Sequence, residues 1–377
     1  MSAIYKKLEE VCEILDSRRV PITAKNRKTG IYPYYGANGL QDYVAEYIFD
    51  DELVLLAEDG GNFGSKERPI AYRVSGKCWV NNHAHVLKAK PLVNADYLCY
   101  ALMFYDTEGL VNGATRQKLT QTAMRQMMIP YRNMTEQLQI ADEINQVIRL
   151  IDKRKEELSL LDQLVKSRFI EMFGDPEKNP FGWDMSTIGV LISSCEAGWS
   201  GNGSQREKKD GEIAVLKVSA VTKGYFIPDE CKVLDDQSNI KKYVFPQEGD
   251  LLFSRANTRE MVGATAVITQ NYPEYILPDK LWRIRFVDAT NVWYMKYILS
   301  SKSIRAIFAS VSTGTSGSMF NVSMEKFKSI AVPLPPLELQ EQFAVFVTQT
   351  DKSKLEVEKS LKQLEILKKS LMQQYFG

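Results

Sequence analysis

The chain has 377 residues, of which 44% are hydrophobic and 25% are charged, and its formal net charge is +1. This length is comfortable for two domains, and the charge balance argues against a protein that binds nucleic acid alone and without sequence preference. The N-terminus lacks a signal-peptide core, and no stretch approaches the roughly 20 apolar residues of a membrane span. Five scattered cysteines without a CxxC pair are typical of buried thiols in a reducing compartment. We therefore expect a cytoplasmic protein with no membrane partner.

The first segment, residues 1–125, is rich in glycine, asparagine, tyrosine, valine and isoleucine. Apolar runs at 52–59 and 83–89 predict strands bounded by turns, and 94–105 predicts a helix. This alternation predicts an α/β domain with a sheet-rich centre.

The stretch GIYPYYGANGLQDYV, residues 30–44, predicts a strand that leads into a turn of glycine and asparagine. Because side chains alternate along a strand, we expect Tyr32 and Tyr34 on one face and Tyr35 on the other. A structural role for these tyrosines is favoured over a role in binding.

The next segment is repeated at the end of the chain. Residues 129–174 and 332–377 align without a gap at an offset of 203 positions. A weaker match between 7–15 and 187–195 has an offset near 180, so the second copy contains roughly twenty more residues between its matched ends. The chain is therefore expected to alternate two variable domains with two copies of one constant element.

Apolar residues in the constant copies follow a heptad spacing, which predicts long helices of coiled-coil type. We expect the two copies to pair with each other in an antiparallel arrangement, rather than each packing only on its own domain. The residues predicted to form this seam are Ile144, Ile151, Leu158, Leu161 and Val165 in the first copy and Val347, Leu361, Leu364 and Leu371 in the second.

The second variable segment, residues 183–325, has apolar runs at 249–255 and 280–286 that predict strands, and 291–308 corresponds to the helix of the first segment. The predicted fold is α/β (α+β), with two sheet-rich domains separated by two long helices and related by an internal pseudo-two-fold repeat. The predicted boundaries are 1–128 and 176–331 for the variable domains and 129–175 and 332–377 for the helices.

Three motifs carry a resemblance to a known family. They are YPYYGANG at 32–39, FGDPEKNPFGW at 173–183 and PLPPLELQEQFA at 333–344. Together with the repeat, they resemble the specificity subunit of prokaryotic type I restriction-modification systems, and the resemblance covers essentially the whole chain. The segment at 129–141 departs from the family by lacking its multiple prolines.

The resemblance implies that each variable domain reads one half of a split, asymmetric target in double-stranded DNA. It implies that the helices act as a spacer and as the docking site for two modification subunits, which use S-adenosylmethionine to methylate adenine. Motor and endonuclease subunits would add ATP- and Mg-dependent translocation and cleavage. By this resemblance the chain itself binds no cofactor and is not an enzyme.

DNA recognition requires donors and acceptors for base edges and positive charge for phosphates. Such side chains occur in three pairs of loops at matching places in the two domains, and each loop could also be an ordinary solvated surface loop. The loops are 113–121 and 314–323, 58–68 and 254–260, and 81–88 and 278–285. The candidates are Lys66, Arg68, Asn82, His83, Arg116, Gln117 and Lys118 in the first domain and Arg255, Asn257, Thr258, Arg259, Lys280, Thr315, Ser316 and Asn321 in the second.

Catalytic signatures are not expected in this chain. NPF at 179–181 lacks the second proline of an adenine methyltransferase motif, and the spacing in GGNFGSK at 60–66 is too short for a P-loop. His83 and His85 have no neighbouring cysteine or acidic cluster in the sequence to complete a metal site. Two alternatives stay open: the recognition chain of a fused nuclease-methylase system of type IIB character, and a coiled-coil scaffold with two protein-binding domains.

Overall fold

The computed structural model describes residues 4–113, 116–313 and 319–377. The chain divides into two units. The first comprises Met1–Lys155 and Lys359–Gly377, and the second comprises Glu156–Glu358. Among the described residues, no helix combines the length and the apolar character needed to cross a membrane.

The strands of the first unit, in chain order, are β1 (Ile4–Lys7), β2 (Cys12–Ile14), β3 (Thr29–Gly36), β4 (Gly39–Val44), β5 (Phe49–Ala57), β6 (Ala71–Val80), β7 (Ala84–Ala89), β8 (Val111–Asn112), β9 (Lys118–Leu119) and β10 (Met128–Tyr131). Its short helices are α1 (Leu8–Val11), α2 (Ala95–Met103) and α3 (Gln121–Arg125), and the long helix α4 (Met134–Phe173) begins here. Short 3₁₀ turns cover Asp16–Arg18 and Ala24–Asn26.

The centre of the first unit is a sheet with the strand order β2-β7-β5-β6-β3-β4. The apolar run of β5 is fully buried because both faces of the sheet are covered. Val54 and Leu56 belong to the cluster under α2, whereas Leu53 and Leu55 belong to the cluster on the opposite face. The predicted strands at 52–59 and 83–89 are thus confirmed, apart from their ends.

The YPYYGANG stretch forms β3 and its turn into β4. Tyr32 and Tyr34 share one cluster, and Tyr35 belongs to another, as the alternation predicts. The hydroxyl group of Tyr34 donates a hydrogen bond to the backbone oxygen of Ile22 (3.2 Å). Gly39 completes the turn with a φ of 108°, which disfavours a side chain.

The second unit contains the strands β11 (Met185–Thr187), β12 (Ile192–Ala197), β13 (Gly203–Ser204), β14 (Ala214–Leu216), β15 (Cys231–Leu234), β16 (Leu251–Ser254), β17 (Ala256–Asn257), β18 (Thr265–Val267), β19 (Tyr275–Ile276), β20 (Leu281–Phe286), β21 (Phe320–Asn321) and β22 (Ala331–Pro333). Its helices are α5 (Ile188–Leu191), α6 (Val292–Ser300), α7 (Lys302–Val311) and α8 (Met324–Ser329), with a 3₁₀ turn at Val218–Val221, and the long helix α9 (Leu337–Phe376) begins here.

The second unit repeats the core of the first. Its sheet order β12-β20-β16-β18 corresponds to β2-β7-β5-β6, and its pair β11-β22 corresponds to β1-β10. A second sheet of this unit has the strand order β13-β15-β14-β19, and its parallel pair β14-β19 resembles the parallel pair β3-β6 of the first unit. The two-domain repeat and the mixed α/β architecture expected from the sequence are therefore present.

Equivalent hydrogen bonds locate the extra residues of the second unit. Leu8 N–H donates to Met127 O (2.8 Å) in the first unit, and Ile188 N–H donates to Ile330 O (2.9 Å) in the second. The two donors are 180 positions apart in the sequence, whereas the two acceptors are 203 positions apart. The predicted increase of about twenty residues is confirmed. Helix α7 accounts for part of these additional residues. One expectation is therefore wrong, because 291–308 forms two helices and not one.

The break between α6 and α7 has a local cause. Ser301 is extended and accepts a hydrogen bond from Ile304 N–H (3.4 Å), which makes it the N-cap of α7. The counterpart of α2 is therefore α6 alone.

A buried glutamine anchors the start of each long helix to the adjacent domain. Gln137 accepts a hydrogen bond from Asn94 N–H (2.9 Å) through Oε1. Its Nε2 group donates to the backbone oxygens of Arg132 (2.8 Å) and Leu92 (3.1 Å). All polar atoms of this fully buried amide are thus satisfied.

Gln340 repeats this arrangement in the second unit. It accepts from Asn291 N–H (2.8 Å) and donates to the backbone oxygens of Pro335 (2.8 Å) and Ala289 (3.5 Å). The sequence alignment paired Gln137 with Gln340, and the structure gives both the same role.

Each unit contains packed segments of α4 and α9. In the first unit, Ile144 lies in a cluster with Leu371, and the hydroxyl group of Tyr375 donates to Glu143 (2.7 Å). In the second unit, the segments meet at an aromatic cluster described below. Of the predicted seam residues, Ile144, Ile151, Val165 and Val347 are buried, and Leu158, Leu161, Leu361, Leu364 and Leu371 are half-buried.

Candidate nucleic-acid interface

The three loops predicted from the first domain meet where β5 ends and β7 begins, at one end of these central strands. Leu119 N–H donates to Glu58 O (2.7 Å), and Gly60 N–H donates to Gln117 O (3.2 Å). Glu58 N–H donates to His83 O (2.9 Å). Residues distant in sequence thus form one hydrogen-bonded surface, which we call the first loop surface (58–68, 81–83 and 116–121).

Asp59 organises the cationic part of this surface. Its Oδ1 atom lies 2.6 Å from Arg116 Nη2 and 2.6 Å from His83 Nδ1. The Arg116 side chain is 60% exposed. Since a guanidinium group carries five N–H donors, Arg116 is oriented by Asp59 and keeps donors that face solvent.

Lys118 is held in a similar way. Its Nζ atom lies 3.0 Å from Glu58 Oε1, and half of its side chain is exposed. The four other candidates of this surface are exposed or half-exposed, and no side-chain partner is found for them among the residues that the structure describes: Lys66, Arg68, Asn82 and Gln117.

A buried charged layer lies beneath the first loop surface. His85 Nδ1 lies 2.6 Å from Asp16 Oδ2, and Arg19 Nη1 lies 2.6 Å from Glu58 Oε2. Burial opposes the charged form of Glu58, but its bonds to Arg19 and Lys118 hold its pKa below the ordinary value. The carboxylates that accompany His83 and His85 in space come from positions distant in the sequence.

No local pattern in the sequence indicates this layer, because Asp16 and His85 are 69 positions apart. Possible ligand atoms of Asp16, Glu58 and His85 lie within 4.8 Å of one another. However, both carboxylates are already paired with cationic side chains of the protein, so the charge that a metal ion would neutralise is already balanced. These residues do not make a convincing metal site.

The predicted loops of the second domain also meet. Arg255 N–H donates to Lys280 O (3.1 Å), and Val322 N–H donates to Arg255 O (2.9 Å). Ala256 pairs with Asn321 between β17 and β21. We call these residues, 254–260, 278–280 and 319–323, the second loop surface. The backbone hydrogen bond from Val322 to Arg255 in this surface corresponds to the one from Leu119 to Glu58 in the first loop surface.

Arg255 is fixed at one atom and free at the others. Its Nε group donates to Asp279 O (2.9 Å), whereas its Nη groups have no partner among the described residues. The guanidinium carbon of Arg259 lies 5.9 Å from the centre of the Phe320 ring, at the limit of a cation–π contact. Both arginines thus add positive charge to the second loop surface.

The remaining candidates of the second domain have simpler surroundings. Asn257 accepts a hydrogen bond from Thr258 N–H (2.8 Å), and Lys280 is half-buried. Thr315 and Ser316 lie outside the described residues.

Sequence reasoning missed one cation near the second loop surface. Arg305, on α7, donates through Nη2 to the backbone oxygen of Glu260. Partial burial lowers the pKa of Arg305, and no carboxylate within the described chain pairs with it. The sequence-based prediction did not include the break between α6 and α7 at Ser301. It therefore did not place Arg305 near the second loop surface.

Comparison with known proteins gives a consistent result. The family model for the type I restriction modification DNA specificity domain matches residues 4–160 and 180–366. A putative type I restriction enzyme specificity subunit of Haemophilus influenzae is 26% identical over 386 positions, which cover 98% of this chain and 94% of the relative. The EcoKI specificity subunit of Escherichia coli K12 is 21% identical over 348 positions, which cover 86% of this chain and 74% of the relative.

Two solved structures share the fold. The crystal structure of the type I restriction-modification S subunit from M. genitalium matches with a TM-score of 0.60 at 12% identity, over 100% of this chain and 96% of that chain. A chain from a structural study of complex assembly and conformational transition in the type I system matches with a TM-score of 0.54 at 16% identity, over 100% of this chain and 98% of that chain.

Proposed function

Because this chain belongs to the family of type I restriction-modification DNA specificity subunits, we propose that each of its two units reads one half of a bipartite, asymmetric DNA target. One observation carries this proposal. The same hydrogen-bonded loop scaffold occurs in both units but presents different side chains, such as Glu58 in the first and Arg255 in the second. Equivalent scaffolds with different side chains suit two readers of different sequences.

The chemistry of both loop surfaces supports contact with DNA. Within the described part of the chain, Arg116 and Arg255 each keep unpaired N–H donors, and an arginine fork can bind guanine or phosphate through two hydrogen bonds. Exposed amides such as Asn82 and Gln117 can read adenine. Lysine side chains supply positive charge for the phosphates, which position the duplex without specifying its sequence.

The two long helices are proposed to pair as an antiparallel coiled coil. The start of α4 and the end of α9 share contacts in the first unit, and the end of α4 and the start of α9 share contacts in the second. Such a pair would space the two half-targets and provide the docking surface for two modification subunits.

The proposed assembly assigns the chemistry to other chains. The modification subunits would bind S-adenosylmethionine and methylate adenine, and restriction subunits would use ATP and Mg²⁺ for translocation and cleavage. In this assembly the present chain acts only by recognition, without catalysis of its own.

Selection of bound duplexes from a random pool tests this proposal. The chain, in complex with its cognate modification subunits, is expected to recover two short sequence blocks with a constant spacing. Arg255→Ala should weaken the preference in one block by about tenfold and leave the other unchanged. Lys178→Ala, which removes an exposed cation outside both loop surfaces, is the matched control. Recovery of no common motif would contradict the proposal.

A further inference from the structure

His85 lies in β7, and only 1% of its side chain is exposed. Its Nδ1 atom lies 2.6 Å from Asp16 Oδ2, and its Nε2 atom lies 2.9 Å from the backbone oxygen of Leu119. Both ring nitrogens therefore face an oxygen at hydrogen-bond distance in a buried region.

The two oxygens that face His85 act as acceptors. A backbone carbonyl has no proton to donate. Asp16 already accepts hydrogen bonds from Val86 N–H (2.9 Å) and from Gln121 Nε2 (3.0 Å). Burial opposes the charged form of Asp16, but the hydrogen bonds from His85, Val86 and Gln121 hold its pKa below the ordinary value. Since both oxygens accept, both ring nitrogens must carry a proton, and the ring is an imidazolium.

The charged groups around the ring favour this form. Glu58, 3.7 Å from His85 Nδ1, is already paired with Arg19 and Lys118. Asp16 depends on His85, because Arg19 Nη2 is more distant from it at 3.5 Å. Loss of the ring proton would leave the buried Asp16 carboxylate without its nearest positive charge, which is unfavourable.

The imidazolium connects the sheet to the first loop surface. Leu119, which receives its hydrogen bond, directly follows Arg116, Gln117 and Lys118. Gln121, on the other side of Leu119, is also bound to Asp16. A neutral ring has only one N–H group and could not donate to Asp16 and Leu119 at once.

The second unit has no such group at the equivalent place. Val54 pairs with Leu87, and Leu251 pairs with Ile284. With this register, Trp282 occupies the position of His85. Trp282 packs against Phe253 and Phe327, with ring centres 5.5 Å apart in both cases. The support of the second loop surface at this position is therefore apolar.

We propose that His85 is a positioning residue for DNA recognition by the first unit, and that its imidazolium holds residues 116–121 in place. The inference rests on the proposed function. Without the two N–H donors of His85, recognition of the half-target read by the first unit should fall. Recognition by the second unit should not change, because Trp282 stands at the equivalent position there.

The protonation state can be measured without DNA. The chain has two histidines, His83 and His85, so a ¹⁵N-¹H spectrum of the imidazole groups contains two spin systems, and His83→Gln assigns them. For the full chain near neutral pH, we expect two protonated nitrogens in His85. A single protonated nitrogen would overturn the inference.

The consequence for recognition is measured by competition binding after the target has been identified. The wild-type chain and His85→Gln, each in complex with modification subunits, are given the full target, a duplex with the first half scrambled and a duplex with the second half scrambled. Discrimination against the duplex scrambled in the half read by the first unit should be about tenfold weaker for His85→Gln than for the wild type. Discrimination at the other half should stay constant.

Two variants separate positioning from general stability. His85→Gln, whose folding is checked by thermal unfolding, should show weak discrimination at the first half and keep discrimination at the second. Trp282→Phe should keep discrimination at the first half. If His85→Gln does not fold, the imidazole spectrum of the wild-type chain decides between the two protonation states. Equal discrimination at the first half by His85→Gln and the wild type would overturn this inference alone, whereas no discrimination by the wild type at either half would overturn the proposed function with it.

Discussion

Gln137 and Gln340 illustrate how a single side chain can join two elements. Each satisfies all its hydrogen-bonding groups within a fully buried site, and each connects the start of a long helix to the N-cap residue of the helix α2 or α6. Such an amide is favourable only while every partner is present.

This dependence gives a prediction at the scale of the residue. In Gln340→Glu, a carboxylate oxygen replaces the Nε2 group that donates to Pro335 O, although the size of the side chain is nearly unchanged. We expect the free energy of unfolding of the second unit to fall by about 1 to 3 kcal/mol, measured by urea denaturation. The control is Glu341→Gln, at an exposed neighbouring position, which should stay within about 0.5 kcal/mol of the wild type. Equal stability of Gln340→Glu and the wild type would contradict the role of the amide.

At the residue scale, the sequence predicted which side chains are cationic better than it predicted which groups they contact. It identified Arg116 and Arg255 as loop cations, and each keeps side-chain N–H donors for which the described residues provide no partner. It did not find the carboxylates that orient or support them, because Asp16 and Asp59 are brought to their partners by sheet pairing. Contacts between residues so far apart along the chain produce no periodic or local pattern in a single sequence.

At the scale of the element, aromatic residues join α4 and α9 within the second unit. The ring centre of Phe343 lies 5.4 Å from that of Phe169 and 5.5 Å from that of Phe173. Tyr297 of α6 contacts the same ring at 5.1 Å. Phe343 is completely buried, so three helices depend on one side chain for close packing.

Removal of this ring should have a large effect. Phe343→Ala is expected to lower the free energy of unfolding of the second unit by about 3 to 5 kcal/mol, because burial is lost and a cavity is left. Val345→Ala, at a position on the same helix that is 58% exposed, serves as the control with a change within about 0.5 kcal/mol. Thermal unfolding of the two variants compares them directly, and a similar melting temperature for both would show that Phe343 is not a packing centre.

The elements were predicted from the sequence to different degrees. Heptad spacing predicted both long helices, and the apolar runs predicted β5 and β7. The spacing did not resolve α6 from α7, although Ser301 is a typical N-cap residue, because the apolar pattern continues across the break. The second sheet of the second unit was also missed, since strands such as β13 and β19 have only two residues.

At the scale of the whole molecule, the chain is a duplication whose framework is kept while its loops differ. The glutamine anchors, the outer strand pairs β1-β10 and β11-β22 and the bond that joins the loops occur twice. The side chains on the two loop surfaces are different. Such a molecule is suited to two different half-targets, and the ungapped repeat at an offset of 203 positions made this organisation predictable. The bases that each surface is proposed to read depend on side-chain geometry in the loops, which no local sequence pattern encodes.

The most direct test is a genome-wide map of N6-methyladenine in the source organism. It should be made with the gene present, with the gene deleted, and with a chimera in which residues 1–128 come from the Haemophilus influenzae relative. We predict that a split, asymmetric motif loses its methylation on deletion, and that the chimera restores methylation at a motif with only one half altered. If no motif depends on the gene, or if the chimera changes both halves together, the account of two independent readers is wrong.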